Sequence, residues 1–95
     1  MMSMDDETLD ALFRALSDTT RRTILFRLLD RDRSLSEIAH PLNMTLAGVA
    51  KHVVHLERAG LVSSRVVGRR RIVSIVRSPL VAIDAWLQGY FGLPA

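Results

Sequence analysis

The side chains able to do chemistry in this sequence are mostly of one kind. Arg69, Arg70 and Arg71 stand in a row directly after Gly68, and Lys51 is the single lysine among thirteen basic residues. Guanidinium groups in series are permanently charged, forked donors, well matched to phosphate oxygens. The segment 58–77 holds Arg58, Arg65, Arg69, Arg70, Arg71 and Arg77 and no acid, a local charge of +6 within a chain whose formal net charge is +3. There are no cysteines, which excludes disulfides, thiolate metal sites and cysteine nucleophiles. His52 and His55, three residues apart, could share a metal ion, but no third ligand is evident, so no metal and no cofactor are expected. His52 is expected to pack at the edge of the core, and His40 and His55 have no assigned role. A phosphate-cradling glycine loop, a triad-like set and an evident pair of catalytic acids are all missing, so an enzyme is not expected.

The elements that position these groups must fit into 95 residues, enough for a single domain over 1–95. With 48% hydrophobic and 24% charged residues, the composition is that of a soluble globular protein. No apolar run approaches the ~18–20 residues of a membrane span. Asp5, Asp6, Glu7 and Asp10 make the start acidic, the reverse of a secretory signal, so a cytoplasmic protein is expected. A core this small often gains stability by oligomerising.

Leu9, Leu12, Phe13 and Leu16 recur at helical spacing. Ser17-Asp18 offers a cap for a second helix with Ile24, Leu25, Leu28 and Leu29 as its apolar set. Ser34 and Glu37 form a capping box for a short helix, which Pro41 is expected to end at His40. Thr45 is set to cap a longer helix that runs to Ala59, with Gly60 at its C′ position. Two β-branched runs, 61–67 and 72–76, flank Gly68-Arg69-Arg70-Arg71 and read as a hairpin. Ser78 followed by Pro79 reads as a cap with proline at the first helical position, opening a helix to about Phe91. The expected fold is mainly α with a two-stranded hairpin, in the order helix-helix-helix-helix-hairpin-helix. A capped short helix, a tight turn, a longer helix and a basic hairpin have the layout of a winged helix-turn-helix.

Four stretches resemble the ArsR family of bacterial winged-helix regulators. Residues 15–25, ALSDTTRRTIL, are similar to the family's L-x-D-P-T-R-R-x-I-L, with Thr19 in place of proline. Residues 35–39, LSEIA, match its first helix-turn-helix element. Residues 49–62, VAKHVVHLERAGLV, match V-S-K-H-L-x-x-L-x-x-A-G-L-V, with Ala50 in place of serine, and residues 68–74, GRRRIVS, match its wing. The resemblance implies a homodimer that binds operator DNA and usually represses. The family's C-x-C metal site falls here on Ser34 and Ser36, and the final helix has Asp84 but no histidine, so the resemblance carries no metal site with it.

A wheel of the helix from Thr45 turns Val49, Val53 and Leu56 to the core and Ala47, Lys51, Val54 and Arg58 away from it. Thr45, Ala47, Gly48 and Lys51 are therefore the candidate groove-facing residues, and Arg69, Arg70 and Arg71 the candidate phosphate contacts, with double-stranded DNA as partner. Arg21 and Arg22 have two open readings: the DNA backbone, or an ion pair with Asp18 or an acid of the first helix. The last helix carries Leu80, Val81, Ile83, Trp86, Leu87, Tyr90 and Phe91 and has almost no polar face. Together with Leu9, Leu12 and Phe13 of the first helix it is expected to bury Leu80, Ile83, Trp86, Leu87, Tyr90 and Phe91 against a second copy, with a ligand pocket or a partner protein as the rival readings. The alternative function is a winged-helix module that binds protein rather than specific DNA.

Overall fold

Four of the helix starts follow from short polar side chains placed one residue ahead of an apolar stripe. The computed structural model describes residues 4–94. Asp5 caps α1 (Asp6–Leu16) by accepting the Thr8 amide at 2.7 Å, and Asp18 caps α2 (Thr19–Arg27) by accepting the Arg21 amide at 3.0 Å. Both carboxyls are held below their ordinary range, chiefly by those amides. Ser34 caps α3 (Leu35–Leu42) with the expected box: Glu37 N–H donates to Ser34 Oγ at 3.2 Å, and Ser34 N–H donates to Glu37 Oε1 at 2.8 Å. Thr45 caps α4 (Leu46–Arg58) by accepting the Gly48 amide at 3.0 Å.

α3 and α4 both end in Schellman closures. Asn43, at φ 53°, takes the left-handed position after α3, and the Met44 and Asn43 amides return to the Ala39 and His40 carbonyls. Gly60, at φ 77°, does the same after α4, with the Leu61 and Gly60 amides on the Leu56 and Glu57 carbonyls. The expected stop at His40 is corrected here. Pro41 lies within α3, because in the last turn its missing amide removes only one intrahelical bond and the Asn43 closure completes the end.

The hairpin is β2 (Val62–Val67) and β3 (Arg70–Ile75), antiparallel with Val62 opposite Ile75 and Val67 opposite Arg70. A third strand, β1 (Arg33–Ser34), pairs on the other side of β3, giving the order β1-β3-β2. The expected two-stranded hairpin thus sits in a three-stranded sheet. The extra strand has no β pattern of its own: a capping residue is already extended, and Ser34, at φ −73° and ψ 163°, lies along the free edge of β3. α5 (Ser78–Phe91) closes the chain, and its start is also corrected. Ser78 is the first helical residue, and Arg77, not Ser78, holds the capping position without a side-chain bond. Arg77 instead ties the helix start to the α2–β1 loop through the Leu29 carbonyl, at 2.6 Å.

The core gathers one stripe from every helix. Leu12 of α1, Ile24 and Leu28 near α2, Ile38 of α3, and Val49, Val53 and Leu56 of α4 meet Leu61, Val62 and Val73 of the hairpin. Ile83 is the one α5 side chain in this buried set, with Leu80 and Leu87 packed at its margin. Among the described residues no helix is long and apolar enough to cross a membrane.

Glu37 has its carboxyl lowered from an ordinary 4.5 to about 2 by the Ser34 amide and hydroxyl, with Arg31 adding to the effect. A depressed carboxylate stabilises the fold fully above pH 4.5 and loses that contribution as pH falls toward 2. In urea unfolding, Glu37→Gln is therefore expected to be less stable than the parent at pH 6, with the difference closing by pH 2. Ser34→Ala, which removes a buried cap, is expected to cost about 1–2 kcal/mol at pH 6.

Candidate nucleic-acid interface

The Schellman turn at Asn43 and the Thr45 cap fix how α4 leaves α3. With Val49, Val53 and Leu56 at most 1% exposed, the rotation of α4 about its axis is set by the core. Ala47, Lys51 and Val54 are then exposed along the outer face, Thr45 is exposed at the start, and Gly48 is half-buried. The four residues read from the sequence as groove-facing thus come together over the first two turns of α4. Thr45 Oγ1 accepts the capping bond and keeps its methyl group and one donor. Leu46 was missed. Its seven-residue spacing from Val53 puts it on the core stripe, yet it overhangs the end of the core and is 54% exposed.

The wing divides its arginines. Val67 opposite Arg70 leaves a two-residue turn, Gly68-Arg69, with Gly68 at φ 63°. Positive φ at the first turn residue alone is the pattern of a type II′ hairpin turn, which calls for glycine there. The expected four-residue tip is therefore shorter, and Arg70 and Arg71 belong to β3. Arg70 Nη2 lies 3.0 Å from Glu37 Oε1. Arg71 donates to Ser64 Oγ at 3.1 Å and pairs with Glu57 at 3.4 Å. Arg69 is exposed at the tip and forms no ion pair among the described residues. Beside it Val66 and Val67 are also exposed, an apolar edge that the β-branched run did not distinguish from buried strand.

Of the two readings of Arg21 and Arg22, the ion pair with an acid is not formed among the described residues. Arg21 Nε and Nη2 donate to the Ala15 and Arg14 carbonyls at 2.8 and 3.1 Å, and Arg22 Nη1 donates to the Leu16 carbonyl at 2.7 Å. They cap the C-terminal end of α1, where unpaired carbonyls attract cations. His52 is half-buried, with Nδ1 3.8 Å from Asp18. Among the described residues no group of three or more histidines and acids could hold a metal.

A second surface forms where α1 meets α5. Trp86 stacks on Tyr90 with centroids 5.3 Å apart and meets Phe13 and Phe91 edge-on at 5.9 and 5.4 Å. Tyr90 is 73% and Phe91 58% exposed. Leu9, Leu12 and Ile83, assigned from the sequence to a contact between copies, are instead buried within the chain, because the i, i+3 stripe of α1 and the inner face of α5 pack on their own core. Phe13, Trp86, Tyr90 and Phe91 form the remaining apolar face, while the half-buried Leu80 and Leu87 pack against the margin of the core.

No protein-family model matches the chain. The uncharacterized HTH-type transcriptional regulator YuzN of Bacillus subtilis is 37% identical over 87 residues, covering 83% of this chain and 95% of YuzN. The crystal structure of an ArsR family transcriptional regulator superposes with a TM-score of 0.85 at 35% identity, over 99% of this chain and all of that one. This chain belongs to the ArsR family of winged helix-turn-helix transcriptional regulators. A second ArsR-like regulator, from Rhodococcus sp. RHA1, gives a TM-score of 0.83 at 34% identity, covering 90% of this chain and 79% of that one. In this ArsR-family chain α3 and α4 form the helix-turn-helix and β2–β3 the wing. These relatives are transcriptional regulators rather than enzymes.

Gly48 tests how tightly the start of α4 is set. A Cβ there would lie 3.2 Å from Thr45 Oγ1 and 3.4 Å from Met44 Cε. The Met44 end can shift, whereas Thr45 Oγ1 holds the capping bond and must give by a few tenths of an ångström; against this, alanine gains roughly 1 kcal/mol of helix propensity over glycine. Gly48→Ala is expected to raise the melting temperature slightly. A fall would mean that the Thr45 cap cannot yield.

Proposed function

We propose that the chain works as a homodimeric repressor on a pseudo-palindromic operator. The start of α4 enters the major groove, and the wing lies along the adjacent backbone. The observation that carries this reading is the outward face of Thr45, Ala47, Gly48 and Lys51, held by a buried Val49–Val53–Leu56 stripe beside a basic hairpin. Lys51 supplies a donor for guanine or phosphate, while Ala47 and the Thr45 methyl suit thymine methyl groups. With few polar readers on α4, shape and deformability of the DNA carry much of the discrimination.

The exposed aromatic face of α1 and α5 supports a two-fold contact with a second copy. A winged helix-turn-helix DNA-binding domain from Mycobacterium bovis, described as homodimeric, has a TM-score of 0.74 at 23% identity, and its assembly is consistent with this reading. Tyr90→Glu, at an exposed position, is expected to yield monomers in light scattering without loss of helical signal. An unchanged dimer would assign the contact elsewhere.

Arg69 is the wing's unpaired charge, so it, rather than Arg70, is expected to dominate phosphate contact. A dimer neutralising about 6–8 phosphates has a slope of log K against log salt of about −5 to −7. Arg69→Ala is expected to flatten that slope by ~1–2 units on operator and random DNA alike. Lys51→Ala is expected to cost roughly 1–3 kcal/mol on operator DNA and less on random DNA. If neither variant changes DNA binding, the protein-binding alternative takes the place of this function.

A further inference from the structure

Outside the proposed reading face, the ends of α1 and α4 and the start of α2 enclose an open cleft of about 520 Å³, a size typical of small-molecule sites. Arg14, Arg21, His55 and Arg58 line it, and no carboxylate does. Its remaining walls include Ala11, Ala15 and Ala59, whose single methyl groups leave the space open.

Among the described residues the cations divide into those matched by a carboxylate and those that are not, and the cleft gathers Arg14 and Arg58 from the unmatched. Arg33, Arg65, Arg70 and Arg71 each meet a carboxylate. Arg14 and Arg58 are exposed and form no ion pair among the described residues. The end of α1 does not present bare carbonyls to the cleft either, because the Arg14, Ala15 and Leu16 oxygens already accept from Arg21 and Arg22. Unmatched guanidinium groups in one concavity, with an exposed imidazole beside them, are the chemistry that receives a compact anion.

We infer that this cleft binds a small molecule carrying a carboxylate or phosphate group, held by Arg14 and Arg58, with His55 as a further donor. Arg58 lies seven residues beyond Lys51 on α4, two turns or roughly 10 Å along the same face. Arg14 follows Phe13 of the aromatic patch. An occupant therefore bridges the α1 helix of the proposed dimer contact and the α4 helix of the proposed reading face, and its binding changes DNA affinity. The effect on DNA rests on the proposed function; binding of the anion does not.

The test titrates inorganic phosphate, and separately citrate, into DNA-free protein at constant ionic strength, followed by NMR of the arginine Nε–H signals. Saturable binding is expected. It should weaken about tenfold in Arg58→Gln and in Arg14→Gln, the scale of one charge-assisted hydrogen bond. Ala11→Leu, which fills the cleft without changing its charge, should weaken it too. A non-saturating response, or one that survives both glutamine substitutions, overturns the site. If Arg58→Gln weakens DNA binding in anion-free buffer while the free protein binds neither probe, these arginines serve backbone phosphates and the small-anion site is overturned. If the free protein binds the anion but saturation leaves DNA affinity unchanged, the coupling through α4 is overturned and the site stands. Failure of all DNA binding would count against the proposed function and leave the anion titration intact.

Discussion

The Glu37 carboxylate joins the start of the helix-turn-helix to the wing. One oxygen accepts the Ser34 amide that opens α3 and also receives Arg70 from β3, while the other receives Arg31 from the preceding loop. The group sits at the helix N-terminus, where a negative charge is favoured, and its low pKa follows chiefly from the Ser34 amide and hydroxyl, with Arg31 adding to them. Because Ser34 is also a residue of β1, the same contact fixes the edge of the sheet to the start of the helix-turn-helix. The wing is therefore not an independent ribbon. Its turn end is tied to α3 through the Glu37–Arg70 pair and to α4 through the Glu57–Arg71 pair.

These exposed pairs add little stability by themselves. Their effect is on placement. By engaging Arg70 and Arg71 on β3 and leaving Arg69 in the turn, they divide a row of three identical side chains into two that orient the hairpin and one free to meet a partner. A similar division runs through α5. Ile83, Leu80 and Leu87 belong to the chain's own core or its margin, while Tyr90 and Phe91 extend the aromatic cluster outward. A helix apolar on nearly every side thus serves two surfaces at once.

Much of this was legible because local signals agreed with one another. The Ser34–Glu37 box, the Thr45 cap and Gly60 each mark a boundary by a short-range hydrogen bond or a positive φ, which residue types report directly. The period of Val49, Val53 and Leu56 fixed the outward face of α4. What escaped was set by contacts distant in sequence. β1 exists only because β3 passes beside Ser34, and nothing in Arg33-Ser34 announces a strand. Arg21 and Arg22 carry the same charge whether they meet phosphate or carbonyl oxygen, and only the approach of the α1 terminus decides. Leu12 and Phe13 are adjacent and both apolar, yet one is buried within the chain and the other is exposed beside Trp86. Residue type alone cannot separate an interior stripe from its outer margin.

The two-residue turn at Gly68-Arg69 constrains how this wing can diversify. Side chains alternate faces along a strand, so a one-residue insertion in β3 before Arg71 would invert every following position in the pairing. Val73 would leave the core, and Arg71 would turn away from Glu57. Substitution at Arg69 carries no such penalty, because its side chain lies beyond the last paired residues, Val67 and Arg70. At this register the charge at the wing's tip can change without disturbing the strand pairing, and longer reach must come from paired additions at the turn.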